Sequence, residues 1–339
     1  MSKWKAIKDI FLRKISSLKK RLILEVRFIF IKLLVRLKLL FRNSAGAPTM
    51  SKGSNSIIVV AAASEDYAMQ LAVMIHSVLQ NIKSKRKIVM YVLESRMTKE
   101  SKARIENSVN HDIFNIVWIA VEDSALRNAK LSHNISIETY YRLLIPMVMP
   151  IDVEKIIYLD CDLIVNHDIG DLWDLDVGDK HLLAVPEMGR GALYVSSLYA
   201  LKHYKKLGLD PHSKFFNAGV LLVNLKNWRE DNIVSQLIDY LDKSKDEVLW
   251  LDQDALNAVL AGKWAELDPG WNVLTQLFYQ YFSWRESPFN KNTYKRLVLS
   301  PYIVHFNTQV KPWHKGNNHP YRDLFFYYLD KTTWKGWRP

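Results

Sequence analysis

The 339-residue chain has a single cysteine, Cys161, so it cannot form an internal disulfide. One thiol in a chain of this length fits a reducing compartment, and Cys161 is most simply a small buried residue. The chain also lacks a GxGxxG or Walker-type glycine-rich loop after its first predicted strand. The usual dinucleotide-binding and NTPase fingerprints are therefore absent.

Long apolar runs are missing from the N-terminal segment, residues 1–43, where no uninterrupted apolar stretch exceeds four residues. A membrane-spanning helix needs about 20 predominantly apolar residues, and a signal peptide needs an apolar core of about 7. Neither a spanning helix nor a signal peptide is therefore predicted for this segment.

Excess positive charge is scarce outside the same segment. Residues 1–43 hold 13 Lys and Arg against Asp9 and Glu25, a net charge of +11. The whole chain has a formal net charge of +12, which leaves +1 for residues 44–339. Because a duplex-binding face needs clustered basic residues, no nucleic acid partner is predicted for this nearly neutral body.

The charged residues of the N-terminal segment recur in a helical pattern. Lys14, Arg21, Glu25, Lys32 and Arg36 follow one another at steps of seven and four, which puts them on one stripe of a helix. The pattern predicts a basic amphipathic arm that lies on an anionic membrane surface, with the body peripheral on the cytoplasmic, inner face. A partner-binding helix and an organellar transit peptide are the alternatives.

Residues 44–55 are small and polar and predict a flexible linker, and from residue 56 short β-branched runs alternate with helical patterns. This alternation predicts an α/β fold with a parallel, doubly wound sheet. Strands are predicted at 56–63, 87–94, 112–120 and 154–162, helices near 66–82, 98–107 and 136–150, a strand leading into a helix at 215–228, and a helix at 252–262 with Asp252 in the capping position.

Acidic residues gather where one predicted strand ends, in the stretch YLDCDLIVNHDIGDLWDLD. Asp160 and Asp162 flank Cys161, so on an extended strand end both carboxylates face one side and the thiol the other. Two such oxygen ligands at the carboxyl end of a strand can hold a divalent ion. The later carboxylates, from Asp168 onward, are explained by Asx turns and a short capped helix.

Four motifs occur in a fixed order: YLDCDLIV followed by DIGDLWDLD, then FNAGVLLVNLKNWRE, then DQDALNAVL, then HFNTQVKPWH. In order and spacing they resemble the retaining glycosyltransferases of family eight, which include bacterial lipopolysaccharide galactosyl- and glucosyltransferases and glycogenin. The resemblance implies a GT-A type nucleotide-sugar-binding fold with a mostly parallel central sheet. It places the glycosyltransferase domain at 56–320 and leaves 321–339 as a C-terminal tail.

The resemblance also implies a UDP-sugar donor and Mn²⁺, with Mg²⁺ possible. Asp160, Asp162 and His305 are then the metal ligands, and a mixed set of carboxylate oxygens and one imidazole suits Mn²⁺ better than Mg²⁺. Lys311 resembles the cation that holds the diphosphate and offsets its charge as it leaves.

Further donor-binding positions follow from the same resemblance. Tyr67 resembles the aromatic residue that stacks on uracil, with Ala62 and Ser64 lining the base site, although the family often has an acidic residue where Ser64 stands. The family also often has glycine where this chain has Thr308 beside the phosphates.

Sugar-binding positions complete the set. Arg142 resembles the arginine that reaches the donor, while Asn217, Asp252 and Gln253 resemble residues that bind the sugar and face its anomeric carbon. Double displacement needs a nucleophilic carboxylate close to that carbon. Gln253 carries a poorly nucleophilic amide, so same-face substitution is favoured, with Asp252 as the reserve nucleophile.

The predicted function is metal-dependent, retaining transfer of glucose or galactose from a UDP-sugar to a glycan or lipid-linked acceptor at a membrane surface. The alternatives are hydrolysis of the UDP-sugar and a non-catalytic protein that binds a nucleotide sugar or glycan. The segments 192–210 and 271–284, rich in aromatic residues, are predicted to line the acceptor side or to be core.

Overall fold

The computed structural model describes residues 56–84, 86–126, 136–189, 191–244, 247–279 and 283–339. The predicted arm at 1–43 and the linker at 44–55 lie outside these residues and stay predictions. No helix among the described residues has the length and apolar character needed to cross a bilayer.

Short strands carry most of the described architecture. They are β1 (Ile57–Ala63), β2 (Ile88–Glu94), β3 (Phe114–Ala120), β4 (Lys155–Leu159), β5 (Leu163–Val165), β6 (Leu182–Pro186), β7 (Phe216–Asn224), β8 (Trp264–Glu266), β9 (Val273–Leu274) and β10 (Ile303–His305).

The α-helices of the described residues lie between these strands and after the last one. They are α1 (Ala68–Asn81), α2 (Lys99–Ser108), α3 (Ile145–Val148), α4 (Ile169–Trp173), α5 (Leu225–Glu230), α6 (Ile233–Ser244), α7 (Asp252–Val259), α8 (Lys291–Leu299) and α9 (Arg322–Leu329). The helix predicted at 136–150 is a 3₁₀ helix, Ile137–Leu144, that continues into the single turn of α3.

Seven strands form the central sheet in the order β3-β2-β1-β4-β7-β6-β8. The pairs β1–β2, β2–β3, β1–β4 and β6–β8 are parallel, which confirms the mostly parallel sheet. The run at 215–228 does form a strand and then a helix, β7 and α5. The exception is β7, which is antiparallel to both β4 and β6.

Both faces of the central sheet are covered. Ile57 and Val59 of β1 face one apolar cluster together with Leu71 of α1, whereas Ile58 faces a second cluster together with Leu237 of α6. A strand buried on both faces has no polar side to show, which is why β1 reads as an unbroken apolar run.

This strand order brings four chain segments to one edge of the sheet. Since β1, β4 and β6 run in the same direction, their carboxyl ends lie at one edge, and the reversed β7 brings its amino end there as well. A second sheet of order β5-β10-β9 adjoins this edge, with His305 of β10 opposite Leu163 of β5. The residues after β4 and the end of β10 therefore meet.

Candidate active site

The three predicted metal ligands come together at this edge. Asp160 and Asp162 occupy the short connection between β4 and β5, and His305 ends β10. The His305 Nε2 atom lies 3.2 Å from Asp162 Oδ1 and 3.8 Å from Asp160 Oδ2. One ligand atom from each residue lies within 4.8 Å of the others. Two carboxylate oxygens and one imidazole nitrogen converging on one point fit a divalent transition metal.

Neighbouring amides fix which nitrogen of His305 faces the carboxylates. Asn272 donates its amide to Asn217 Oδ1 at 2.8 Å, so Asn272 Oδ1 is left as an acceptor. That oxygen lies 2.8 Å from His305 Nδ1, which must therefore carry the proton of a neutral ring. The lone pair of His305 Nε2 is then directed at Asp160 and Asp162, as a metal ligand requires.

Gly219 of β7 lies directly beneath this cluster. A Cβ atom added at Gly219 would lie 2.2 Å from His305 Cε1 and 2.9 Å from Asp160 Oδ2. Only a residue without a side chain fits here, because β7 passes too close to the ring. The sequence interpretation did not single out this glycine of the FNAG motif.

Lys311 lies beside the cluster, on the other oxygen of Asp162. Its Nζ is 2.5 Å from Asp162 Oδ2 and also donates to the carbonyl of Phe306 at 2.6 Å. Burial opposes ionisation of Asp162, but the Lys311 ammonium and the His305 ring outweigh it and lower the pKa of this carboxyl. A fixed cation therefore adjoins Asp160, Asp162 and His305, which we call the metal set.

Arg142 is buried between two carboxylates. Its Nη2 lies 2.9 Å from Asp160 Oδ1, and its Nε lies 2.9 Å from Asp252 Oδ2. Its Nη1 donates to the carbonyl of Ala218 at 2.6 Å. Burial alone would lower the pKa of the guanidinium, but Asp160 and Asp252 raise it, so Arg142 stays charged. The arginine thus orients two site carboxylates as well as lining the cleft.

Asp252 opens α7 but does not cap it, so the predicted capping role was wrong. The N-cap is Leu251, with φ of 55° and no side-chain cap hydrogen bond, and the Asp252 carboxylate turns inward to Arg142. The Arg142 Nε–H bonds to the carbonyl of Thr139, which leaves Asp252 Oδ2 without a hydrogen bond among the described residues. Burial raises the pKa of Asp252 to about 7.

Gln253 is held at both ends of its amide. Its Oε1 accepts from the backbone N–H of Ala218 at 3.0 Å, and its Nε2 donates to Glu187 Oε1 at 3.2 Å. Glu187 also accepts from Asn217 Nδ2 at 2.9 Å. Burial raises the pKa of Glu187, although both amide donors favour its ionised form.

The sequence interpretation missed Glu187. A usable signal existed, because Glu187 directly follows the buried run LLAVP of β6, just as Asp160 follows β4. The same rule, that polar residues at the carboxyl ends of parallel strands lie in the ligand crevice, applies to both residues.

One large cleft joins these groups. It has a volume of about 1160 Å³ and is lined by all twelve predicted site residues: Ala62, Ser64, Tyr67, Arg142, Asp160, Asp162, Asn217, Asp252, Gln253, His305, Thr308 and Lys311. The Tyr67 ring packs edge-on against Trp313 with centroids 6.1 Å apart. Asn217 is buried, and its side-chain amide bonds to other protein groups. Its Oδ1 accepts from the backbone N–H of Gly219 at 3.0 Å.

Two other residues of the acidic stretch, Cys161 and Asp168, make structural contacts. Cys161 is buried and its thiol contacts the carbonyl of Ala62 at 3.2 Å, so it faces away from the metal set as expected. Asp168 caps α4 by accepting from the Gly170 N–H at 2.8 Å, which confirms its structural role. Of the segment 271–284, Gln276 lines the cleft while Trp271 lies in the core.

Comparisons with known proteins agree with this geometry. The family model described as glycosyl transferase family 8 matches residues 58–317. General stress protein A of Bacillus subtilis (strain 168) is 31% identical over 279 residues, which cover 81% of this chain and 94% of that protein. The lipopolysaccharide 1,3-galactosyltransferase of Salmonella typhimurium is 24% identical over 249 residues, 73% of this chain and 70% of that one.

Solved structures show the same fold. A crystal structure of the galactosyltransferase LgtC with donor and acceptor sugar analogues superposes with a TM-score of 0.69 at 25% identity, covering 82% of this chain and 96% of that one. The bifunctional glycosyltransferase WbbM, at 23% identity and a TM-score of 0.70, shares the fold. The chain therefore has a GT-A type fold, belongs to glycosyl transferase family 8 and is a glycosyltransferase.

Proposed function

We propose that this enzyme is a metal-dependent, retaining hexosyltransferase that moves glucose or galactose from a UDP-sugar to a glycan or lipid-linked acceptor at a membrane surface. The observation that carries the proposal is the convergence of Asp160, Asp162 and His305 beside Lys311 in one cleft. A nucleotide-sugar donor needs positive charge at its diphosphate, and this is where the cleft can supply it.

The donor set fits Mn²⁺, with Mg²⁺ as the weaker candidate. Asp160, Asp162 and the Nε2 atom of His305 would hold the ion, because their ligand atoms already converge and the proton on Nδ1 leaves Nε2 free to bind. When bound, a divalent ion neutralises negative charge on the diphosphate. Lys311 adds a second positive charge next to Asp162, and Thr308 lies nearby along the cleft.

The residues around the sugar favour same-face substitution. Hydrogen bonds to Ala218 and Glu187 fix the orientation of the Gln253 amide. Its carbonyl dipole would stabilise the positive charge that develops at the anomeric carbon. The Asp252 carboxylate faces the Arg142 guanidinium, whose positive charge lowers its nucleophilicity, so we assign Asp252 to binding the sugar. It remains the reserve nucleophile if double displacement operates.

Different lining residues of the cleft are assigned to the donor base and to the acceptor. Ala62, near the end of β1, and Ser64 and Tyr67, just after it, would contact uracil, while Tyr199 and Trp250 would contact the acceptor. A glycan acceptor is supported by a relative named lipopolysaccharide 1,3-galactosyltransferase and by a neighbour solved with donor and acceptor sugar analogues. The basic arm at 1–43 supports peripheral attachment to the cytoplasmic face of a membrane.

The test is UDP release from a panel of UDP-sugars, with and without glycan and lipid-linked acceptors, in Mn²⁺, in Mg²⁺ and after chelation. We expect chelation to remove acceptor-dependent release and Mn²⁺ to restore it best. Asp160→Asn should lower kcat by about a hundred-fold or more, since it removes a metal ligand and a partner of Arg142.

Asp176→Asn is the matched control, because Asp176 is exposed and its Oδ1 accepts the Gly178 N–H, a bond that the asparagine oxygen can keep. Full activity of Asp160→Asn in Mn²⁺ would refute the metal-centred proposal. UDP release that no acceptor accelerates, with free sugar as the product, would instead identify a hydrolase.

A further inference from the structure

Exposed apolar side chains are unevenly distributed over the described surface. Large hydrophobic side chains are exposed at eleven described positions, and five of these lie in residues 191–214 and 247–250, which we call the cleft rim. The five are Tyr194, Leu198, Tyr199, Leu207 and Trp250, with Leu198 the most exposed at 74%. Scattered exposed hydrophobics are ordinary, whereas a concentration in so short a stretch marks an interaction surface.

The two parts of the cleft rim are joined to each other. Trp250 Nε1 donates to the carbonyl of Tyr199 at 2.6 Å, and Lys206 forms an ion pair with Glu247 at 3.0 Å. Buried Asp254 accepts the backbone N–H groups of Leu249 and Trp250, which holds the tryptophan in place. The indole nitrogen is satisfied within the protein, so the Trp250 ring is held outward with its apolar part exposed.

The cleft rim borders the opening of the active-site cleft. Tyr199 and Trp250 line the cleft itself, and Leu198 directly precedes Tyr199. Gln309 and Lys311 also line the cleft, and Val310 between them is 59% exposed. Exposed apolar side chains from separate chain segments therefore adjoin the lining of the cleft.

The charge of the cleft rim complements an anionic surface. Residues 191–214 contain four lysines, Lys202, Lys205, Lys206 and Lys214, against Asp210, and residues 247–250 add Glu247, so the cleft rim has a formal net charge of +2. The remainder of the body beyond the arm is close to neutral, so this local excess is distinctive. Lysines beside exposed tyrosine, tryptophan and leucine form the pattern of segments that lie at a bilayer interface.

A sugar-stacking platform alone does not account for this composition. Tyr199 and Trp250 have ring faces on which a sugar can stack, but Leu198, Leu207 and Val310 do not. Exposed aliphatic side chains close in sequence to residues that line the cleft, with lysines among them, are better matched by hydrocarbon and anionic headgroups.

We propose that the cleft rim lies in the headgroup region of an anionic bilayer, so that the mouth of the cleft faces the lipid surface. This inference rests on the proposed function only for the direction from which a lipid-linked acceptor arrives. It differs from recruitment by the arm, because the arm would bring the body to the membrane whereas the cleft rim sets which side of the body faces it.

The test uses the full chain with one added cysteine, labelled with an environment-sensitive fluorophore. Leu198→Cys reports on the cleft rim, and Ile151→Cys is the matched control, since Ile151 is 72% exposed and lies ahead of β4, away from the carboxyl edge of the sheet. The parent chain, whose only cysteine is buried, measures background labelling. Vesicles are equimolar phosphatidylglycerol and phosphatidylcholine, or phosphatidylcholine alone.

We expect the label at position 198 to shift to the blue with a several-fold rise in emission on anionic vesicles, and to be quenched by lipids with a shallow nitroxide. The label at position 151 should change little, although the arm recruits both variants equally. The response at position 198 should weaken in phosphatidylcholine alone and at high salt.

Three results would overturn the proposal. One is an equal response at positions 198 and 151, and another is no response at position 198 while the protein co-sediments with vesicles. The third is a shift that grows with protein concentration without vesicles, which would assign the cleft rim to contact between copies of the chain. UDP release measured on the same samples reports the proposed function independently of insertion.

Discussion

Glu187 connects the sugar side of the cleft to the metal set through a series of hydrogen bonds. Its carboxylate accepts from Asn217, whose Oδ1 accepts from Asn272, whose Oδ1 in turn accepts the Nδ1 proton of His305. Each of these groups is buried, so each bond fixes the orientation of the next group. A carboxylate at position 187 therefore helps to keep His305 in the tautomer that can bind a metal.

We predict that Glu187→Gln lowers kcat and weakens Mn²⁺ binding, each by about ten- to a hundred-fold. Asn217 and Gln253 both donate to Glu187 Oε1, and Gln276 donates to Oε2, so the NH2 group of a glutamine would face at least one donor in either orientation of its amide. The KM for the donor should change less, because Glu187 is not among the residues assigned to the nucleotide. Initial rates across a Mn²⁺ titration measure both effects.

Glu266→Gln is the matched control, since Glu266 forms an exposed ion pair with Lys214 away from the metal set. Wild-type kcat and Mn²⁺ affinity in Glu187→Gln would show that the hydrogen-bond series does not position His305.

The sequence predicted the site residues that stand in recognised motifs. It missed a site residue outside them and a contact that depends on distant residues. Asp160, Asp162 and His305 were predicted because their motifs recur in a known order, and they do converge. Glu187 was missed because no motif surrounds it, although its position directly after β6 was a usable signal. Asp252 was taken as a cap because aspartate at a helix start usually is one, whereas here a buried arginine 110 positions earlier draws the carboxylate inward.

Among the secondary-structure elements, β7 has most influence on the site. Its reversed direction brings the FNAG end, rather than the NLKNW end, to the edge where β4 and β6 finish. Alternating strands and helices predict only parallel strands, so neither the reversal nor the contact between Gly219 and His305 was accessible from the sequence.

We predict that Gly219→Ala abolishes metal-dependent transfer while the protein stays folded. The added methyl group would overlap the His305 ring and crowd Asp160, so the ring must move and the metal set loses its geometry. We expect kcat to fall by about a hundred-fold or more and Mn²⁺ affinity to fall with it. Steady-state rates, Mn²⁺ titration and circular dichroism are the measurements.

Gly189→Ala provides the control, because Gly189 borders the same cleft and nothing lies within 4 Å of the Cβ that would be added. It should keep kcat within a few-fold of wild type. Equal activity of the two variants would mean that His305 can shift without loss of metal binding.

Near the C-terminus, a buried histidine, His319, packs against aromatic side chains. His319 lies between the rings of Phe278 and Phe306, each 4.9 Å away, and its Nε2 has no hydrogen-bond partner among the described residues. Burial lowers the pKa of His319 to about 4. The unfolded chain takes up this proton near pH 6.5, so the stabilisation is complete above that pH and is lost as pH falls towards 4.

We predict that the free energy of unfolding of the wild-type protein falls by about 2 kcal/mol from pH 7 to pH 5 because of His319 alone. His319→Asn should flatten that part of the pH dependence, because asparagine does not titrate and its Oδ1 can replace Nδ1 as the acceptor of the Tyr321 N–H. Urea unfolding at both pH values measures the difference. An unchanged slope in His319→Asn would assign the acid sensitivity to other groups.

Over the whole molecule, charge is divided between two functions. The arm holds a net charge of +11 and the rest of the chain +1, while the metal set and its neighbours keep carboxylates at the centre of the cleft. Lys311, Arg142 and a metal ion, when one is bound, would give the cleft enough local positive charge to accept a diphosphate. The net charge of the body can then stay close to neutral. The positive charge of the arm is then available for anionic lipid.

We predict that a chain starting at Met50 keeps its turnover on a soluble acceptor and loses most of its affinity for anionic vesicles. At about 1 kcal/mol for each basic residue near the surface, losing even part of the arm's 13 should weaken binding by a hundred-fold or more. Because these contacts are electrostatic, binding of the full chain should also fall steeply as salt is raised. Co-sedimentation with equimolar phosphatidylglycerol and phosphatidylcholine vesicles measures the affinity, and UDP release measures turnover. Residual, weaker binding of the shortened chain is expected from the cleft rim, whereas undiminished binding would assign the arm to a protein partner or to targeting.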